Sequence, residues 1–581
     1  MSKRKYTQEE LEAVVVSDIS DDSDKDTNIT ENEVDSDSSE DEILLEEIFE
    51  SDDSAEDVAI TADIDFWEPW EDNQQRFESF PFTKDVGYCP PTLNKPTSEL
   101  DFFQLFFTDE LLQAIVDETN RNAQEKVVMN TPLTRRSIWA SWKPVALEEF
   151  KAFLGVVINM GLNPKCELGD YFSSSWIDHQ PFFKDVFAKQ RFFQIFWNLN
   201  ISSPQNNTLG ERSRSSKVKN VLCYLESAYT KYYSPGKHVA VNESTIGSKG
   251  RVSFRCYNED KPTKWGIKLY MLVDSTNGYV FNLEPDFGNQ TAELLIRPYL
   301  PATARVVVHL AQKLVDATSA CGYHIFTDSH YTSPLLAQEL QKMKIHLTGS
   351  VMGNRRGLPD TMKTVSTSKM QKSEVCCLHN RYLSALAWKD KTVNLMLSSL
   401  YDNSVQDMTR RYKRADGRWI EETIQKPTVI CEYNKFMRGV DIVDYSTSDA
   451  FSGKSSRWWR KVFFCLLDVT MNNAFILYRS EKNGTNYRSR NFRKKLVLQL
   501  IGDFRSKAKR RIININNNVR LDGNFHAIFL RKSNSDCKVC SDRTKPGGRK
   551  TTVYFCKTCP ECPALHPGNC FEKYHTLQDY N

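Results

Sequence analysis

Apolar positions along the chain change period twice, and the two changes outline its architecture. From about Leu100 they recur every three or four residues. DFFQLFFTDELLQAIVDETNRNA (101–123), ALEEFKAFLGVVINMGL (146–162), FFKDVFAKQRFFQIFWNL (182–199) and VKNVLCYLESAYTKYY (218–233) each read as a helix with one apolar face. Ser234-Pro235-Gly236 breaks that pattern. Short β-rich runs follow, HVAVNES (238–244), WGIKLYMLVDS (265–275) and GYVFNLEP (278–285), separated by polar turns. RVVVHLAQKLV and LLAQELQKMK then read as helices, alternating with the strands YHIFTDS and IHLTGSV. This order predicts a mixed α/β sheet covered by helices. The segment YLSALAWKDKTVNLMLSS (382–399) predicts a hairpin turning at Lys389-Asp390-Lys391, and a helical, aromatic, basic stretch returns over 452–478.

Before residue 75 no apolar period exists. That segment is rich in Asp, Glu and Ser, too poor in apolar surface to offset chain entropy, and predicts disorder. The formal net charge of +1 hides an asymmetry: residues 1–70 carry 25 acidic and 4 basic side chains, and the remaining 511 carry 50 acidic and 72 basic. A basic body behind an acidic head predicts a polyanionic partner. Lys3-Arg4-Lys5 leads straight into acidic sequence, without the apolar core of a secretory signal. Val462 to Tyr478, the most apolar long stretch, carries Asp468, Asn472 and Asn473 and is too short and polar to span a bilayer. No membrane association is expected. Lys507-Ala508-Lys509-Arg510-Arg511 is compatible with a nuclear location.

Six of the fifteen cysteines lie between Cys537 and Cys570. The spacing is Cys537-x2-Cys540, then Cys556-x2-Cys559-x2-Cys562, followed by His566, Cys570 and His575. A two-residue gap lets both thiolates reach one tetrahedral ion, so eight candidate ligands predict two structural zinc ions, interleaved along the chain. Either Cys559 or Cys562 can complete the second pair. Modules of this kind serve as DNA contacts, histone-tail readers or ubiquitin-ligase adaptors.

Asp328 ends the strand YHIFTDS, and Asp441 and Asp444 share one face if RGVDIVDYS is helical. Carboxylates gathered from separate elements can hold two Mg²⁺ for phosphodiester chemistry. Lys249 and Arg251, and Arg355 with Arg356, follow the strands on either side of that site and can neutralise phosphates. Arg457-Trp458-Trp459-Arg460 interleaves cations with aromatics in the same sense.

Several of these segments, in the same order, resemble the piggyBac-type transposases: HVAVNESTIGSKGR with KWGIKLYMLVDSTNGYV, YHIFTDSHYTS, SVMGNRRGLP, YNKFMRGVDIVD and the closing CFEKYHTLQDYN. The resemblance runs from about Leu100 to the C-terminus. It implies a ribonuclease-H-like core interrupted by an insertion domain, flanking helical dimerisation and DNA-binding regions, and a C-terminal zinc cross-brace module that binds transposon ends. The boundaries expected are a disordered acidic tail (1–75), a first helical part (76–235), core (236–358), insertion domain (359–428), core return (429–446), a second helical part (447–515), a linker (516–536) and the zinc module (537–581). The resemblance places the family's Asp triad at positions 242, 328 and 441, with a further motif Asp at 444, and puts Trp458 near the active centre. Double-stranded DNA and a second copy of the chain are the partners it implies; chromatin proteins are the partners expected if the zinc module is instead a histone-tail reader or adaptor.

One position departs from the family motif. Position 242 is Asn in Asn242-Glu243-Ser244, and an amide oxygen binds a hard cation more weakly than a carboxylate. Glu243 cannot replace it, because consecutive strand residues face opposite ways. Ser248 and Met352 also stand where the family has an aromatic and an Arg. The reading is a transposase-derived DNA-binding protein with a degenerate Mg²⁺ site and little or no strand transfer. The alternatives are an active cut-and-paste transposase that tolerates Asn242, and a zinc-module chromatin reader or adaptor.

Overall fold

Short polar caps start the first helices. Ser98 and Asp101 form a capping box at α1 (Glu99–Gln104), and the Thr108 hydroxyl accepts from Leu111 N at the start of α2 (Asp109–Met129). The structure is a computed structural model. It describes residues 67–70, 77–133, 137–202, 215–248, 252–257, 264–364, 370–413, 417–439, 457–482, 486–504, 519–521, 525–559, 561–577 and 580. Helices α3 (Leu147–Leu162), α4 (Pro181–Val186), α5 (Lys189–Asn198) and α6 (Ser216–Tyr232) complete the first helical part. Their Phe-rich faces pack together in one buried cluster.

Two very short strands, β1 (Glu68–Pro69) and β2 (Gly87–Tyr88), precede these helices, and β3 (Tyr233–Ser234) follows them. The sheet proper begins with β4 (His238–Gly247), β5 (Cys256–Tyr257), β6 (Trp265–Asp274) and β7 (Val280–Pro285). It continues through α7 (Asn289–Leu294), α8 (Ala302–Thr318), β8 (His324–Thr327), α9 (Pro334–Lys342), β9 (His346–Ser350) and α10 (Asp360–Thr364). Among the described residues, ten strands form one mixed sheet in the order β1-β10-β11-β12-β9-β8-β4-β6-β5, with β7 also on β6. Here β10, β11 and β12 are Val375–His379, Ser384–Lys389 and Val393–Ser398. β4 runs antiparallel to β6 and parallel to β8, and β8 runs parallel to β9. Alternate residues feed two cores. Ala240 and Phe326 join the helical cluster, whereas Val239, Val241, Ile325 and Leu347 pack on the opposite face with α8 and α9.

The return to helix is made by α11 (Thr428–Phe436), α12 (Trp458–Glu481) and α13 (Ser489–Ile501). α12 is long and apolar enough to cross a membrane, yet 89% of its apolar window is buried inside the protein. Its polar residues explain why it belongs there. Asn473 accepts from Val280 N at 2.9 Å and donates to Val280 O at 2.8 Å, closing the free edge of β7 as a strand would. Asn472 donates to Gly278 O at 3.0 Å, and Asp468 pairs with Arg493 of α13 at 3.1 Å in a buried contact.

Three boundaries differ from expectation. Residues 67–70, assigned to the disordered tail, are ordered on the sheet: β1 pairs with β10, and the Trp67 indole donates to Gly357 O. The segment expected as an insertion divides, because β12 pairs with β9 and extends the main sheet. Only β13 (Val405–Lys413) and β14 (Trp419–Pro427) form a separate two-stranded ribbon. The expected linker contains β15 (Ile528–Asp536), which pairs with β16 (Thr551–Cys556); α14 (Asn569–Thr576) closes this last unit.

Three histidines occupy one row across β4, β8 and β9, His238 opposite His324 and His324 opposite His346. Burial pushes His238 and His346 down to about 4, aided at both by Lys237, and pushes His324 well below its ordinary value. The folded state therefore keeps all three neutral. Unfolding lets them take up protons, so their contribution is present above pH 6.5 and is lost as pH falls toward 4. The thermal midpoint should drop across that window, and His346→Gln should make the drop shallower. A midpoint whose pH dependence is unchanged by the substitution would count against this origin.

Candidate active site and metal centres

β4 and β8 are parallel neighbours; β8 ends at Thr327, opposite Val241, while β4 runs on to Gly247 paired with β6 alone. Val241 with Thr327 is the last pair of the β4–β8 ladder, so Asn242, on the Ala240 face of β4, and Asp328 are the next residues on the two chains after their pairing stops. The Asn242 side-chain oxygen accepts from the backbone N–H of Glu243 at 2.8 Å. Asp328 accepts from His330 N at 2.9 Å. Burial, reinforced by the nearby Glu243 charge, raises the Asp328 carboxyl above its usual range.

Glu243 faces the other side of the sheet. The Tyr331 hydroxyl donates to it at 2.7 Å and Lys268 pairs with it at 3.4 Å. Burial alone would raise its pKa, but Lys268, the Tyr331 hydroxyl and His330 outweigh burial and hold it low. Its carboxylate is thus committed to Tyr331 and Lys268. Close packing holds the Asp328 turn in place: the Thr327 and Thr332 hydroxyls bond at 2.7 Å, and a side chain at Gly349 would collide with Thr332 Oγ1 and the Thr327 carbonyl.

Arg355, expected at phosphates, donates to the carbonyls of Ser329 and His330 at 2.9 and 2.6 Å and so braces the turn that carries Asp328. Arg356 beside it is exposed and Arg457 half-buried. Trp458 is also half-buried and packs edge-on against Phe254 and Phe287, at 5.2 and 5.5 Å between ring centres. Asp441, Asp444, Lys249 and Arg251 lie outside the described residues. The last described residue before Asp441, Gly439, packs against β4 and the turn after β6: a side chain there would meet Ala240 Cβ at 3.6 Å and Ser275 Cα at 3.2 Å.

In the C-terminal unit, seven of the eight predicted ligands fall into two groups. His526, Cys556, Cys559 and His575 form one; Cys537, Cys540, His566 and Cys570 form the other. In each, the ligand atoms lie within 4.8 Å of one another, so either can hold a metal ion. Individual separations fit one tetrahedral ion per group: Cys540 Sγ to His566 Nδ1 is 3.3 Å, and Cys559 Sγ lies 3.5 Å from both His526 Nδ1 and His575 Nε2. Backbone carbonyls orient two of the rings. His575 Nδ1 faces Phe571 O at 2.7 Å and His566 Nε2 faces Thr551 O at 3.2 Å, leaving the other nitrogen for an ion.

Cys562 belongs to neither group. Its N–H bonds back to Cys559 O at 2.9 Å in a tight turn, its φ is +43°, and its carbonyl accepts from Arg531. His526 takes the remaining ligand place, from the segment expected as a linker. The eight candidates already fill two tetrahedra, so the only signal available was a lone His eleven residues before Cys537.

The chain belongs to the family described as Transposase IS4, whose profile matches residues 98–475. Within it the chain is of the piggyBac type, as its motifs suggested. It is 24% identical over 418 residues to the human PiggyBac transposable element-derived protein 2, covering 71% of this chain and 66% of that one. To human PiggyBac transposable element-derived protein 3 it is 23% identical over 491 residues, 82% and 76% of the two chains. Its fold is similar to that in a cryo-EM structure of a piggyBac transposase synaptic complex with hairpin DNA. That match has a TM-score of 0.61 at 23% identity and covers 72% of this chain and 83% of the other.

Elemental analysis of the purified full-length chain should give two tightly held divalent ions. Cys562→Ser should keep both and His526→Ala should lose one; the reverse pattern would overturn this ligand assignment.

Proposed function

We propose that this protein is a transposase-derived, nuclear DNA-binding protein whose ribonuclease-H-like metal site is degenerate and supports little or no strand transfer. The observation that carries this reading is Asn242, an amide where the family's motif has a carboxylate, on β4 just past the last pair that joins it to the strand before Asp328. A family site of this kind gathers acidic ligands so that hard divalent cations outbind water, and each lost charge weakens the hold. Asp441 follows Gly439 by two residues and is the remaining triad position. Mg²⁺ bound there would activate water for phosphodiester cleavage and stabilise the departing 3′ oxygen. In this chain Asn242 can still orient through its Oδ1, but Asp328 carries the charge at this pair of positions alone, and Glu243 is turned away and held by Lys268.

We assign zinc to the two C-terminal groups, since mixed thiolate and imidazole tetrahedra with no open position suit that ion in a structural role. The basic body and the Cys/His module support duplex DNA as the partner, and the family supports a dimer of this chain. Arg356, Arg457 and the Lys249–Arg251 segment are the candidate phosphate contacts.

The test uses purified full-length protein with Asn242→Asp. In the variant, Mg²⁺ should raise the thermal midpoint, because a ligand that binds the folded state stabilises it; the original protein should show little shift. Mg²⁺-dependent cleavage of end-bearing duplex DNA should rise by at least about tenfold in the variant. Cleavage by the original protein equal to that of Asn242→Asp would sink the degenerate-site reading and favour an active transposase.

A further inference from the structure

The C-terminal unit displays an aromatic pair that its own fold does not use. Phe529 of β15 and Phe555 of β16 are directly paired across the hairpin, so both rings lie on the same face, with centroids 6.3 Å apart. The neighbouring strand residue Cys556 points the opposite way, into the buried cluster with Cys559, Leu565 and Tyr574. Phe529 and Phe555 are outside that cluster. Phe529 is 45% exposed, a costly place for a large ring in a unit this small.

Cations flank the pair. The Lys557 ammonium lies 5.2 Å from the Phe529 ring centre, and the Arg531 guanidinium lies 4.7 Å from that of Phe555. The charge around them is one-sided: residues 525–577 contain nine Lys and Arg against four Asp and Glu. Asp536 is already neutralised by Arg543 and Arg549, and Asp542 by Lys545. An occupant must therefore offer flat apolar faces and negative charge together. An unpaired nucleotide does both, with its base on the ring and its phosphate beside the cation. Duplex DNA presents only its edges and backbone, because its base faces are stacked within the helix.

We infer that the Phe529–Phe555 face is a stacking platform for an unpaired nucleobase, which gives the module a preference for DNA carrying a single-stranded extension or opened bases. This rests on reading the module as DNA-binding and adds a ligand class to it.

The test compares binding of the full-length protein to a labelled blunt duplex and to the same duplex with a short 3′ oligo-dT extension. The extended duplex should bind roughly tenfold tighter, the size of one stacked base. Stacking is not a counterion effect, so as salt rises the ratio should fall only by the share of the added phosphate contact and should stay well above one. Phe529→Ser should abolish the ratio without changing blunt-duplex affinity or metal content, and Phe529→Trp should keep it. Equal binding to both DNAs overturns the platform, and so does equal weakening of both by Phe529→Ser. Binding to neither overturns the DNA reading itself along with the platform. If Phe529→Ser changes self-association and leaves the DNA ratio intact, the face belongs to a second copy of the chain and the inference fails.

Discussion

The placement of β4 between β6 and β8 is the constraint on which the rest of the molecule depends. Where β4 is paired on both sides, over residues 238–241, and covered on both faces, it has little surface left for solvent. Its residues must alternate between two apolar clusters, and they do: Ala240 serves the helices, Val239 and Val241 serve α8 and α9. The polar run at residues 242–245 begins where the pairing with β8 stops. Because β4 and β8 are parallel and β8 stops at Thr327 opposite Val241, Asn242 lies on β4 at the point where β8 gives way to Asp328. In open α/β sheets the carboxyl edge of parallel strands is where ligands bind.

The same constraint explains α12. It lies against β7, and its asparagines supply the hydrogen bonds that a further strand would have made. A helix with so apolar a surface can carry Asp468, Asn472 and Asn473 because each meets a buried partner: Arg493, Gly278 and Val280. The helical part and the sheet are therefore joined by specific polar contacts inside a shared apolar cluster, and neither presents a complete core without the other.

Much of this was legible in the chain itself. Helical periodicity marked α3 and α6 and the β-rich runs marked β4, β6 and β7, because each has one period imposed by local burial; 101–123 and 182–199, each read as one helix, are two apiece, divided between Gln104 and Asp109 and between Val186 and Lys189. The hairpin of β11 and β12 was visible for the same reason, with its turn at Asp390. What pattern could not convey was its pairing partner: that β12 joins β9 is a long-range fact about hydrogen bonding, and both edges look alike in sequence. The metal ligands show a parallel limit. Spacing identified the Cys pairs, but Cys559 and Cys562 are equivalent by spacing and differ only in which way a tight turn aims the thiol. His526 was missed because a ligand supplied from across the chain leaves no local pattern. Asn242 stood out only against a family motif.

The ligands of the two C-terminal groups are nested. Read along the chain, His526 and His575 are the outermost, Cys537, Cys540, His566 and Cys570 lie within them, and Cys556 and Cys559 sit at the centre. The inner set gathers ligands at most 33 residues apart, and the outer set must bring together residues 49 apart. Closing the longer loop costs slightly more chain entropy, and it costs less once the shorter one is shut. Because Cys556 and Cys559 of one group lie inside the loop that the other group closes, ions held in the two groups would tie β15, β16 and α14 into one unit, and loss of either would loosen both.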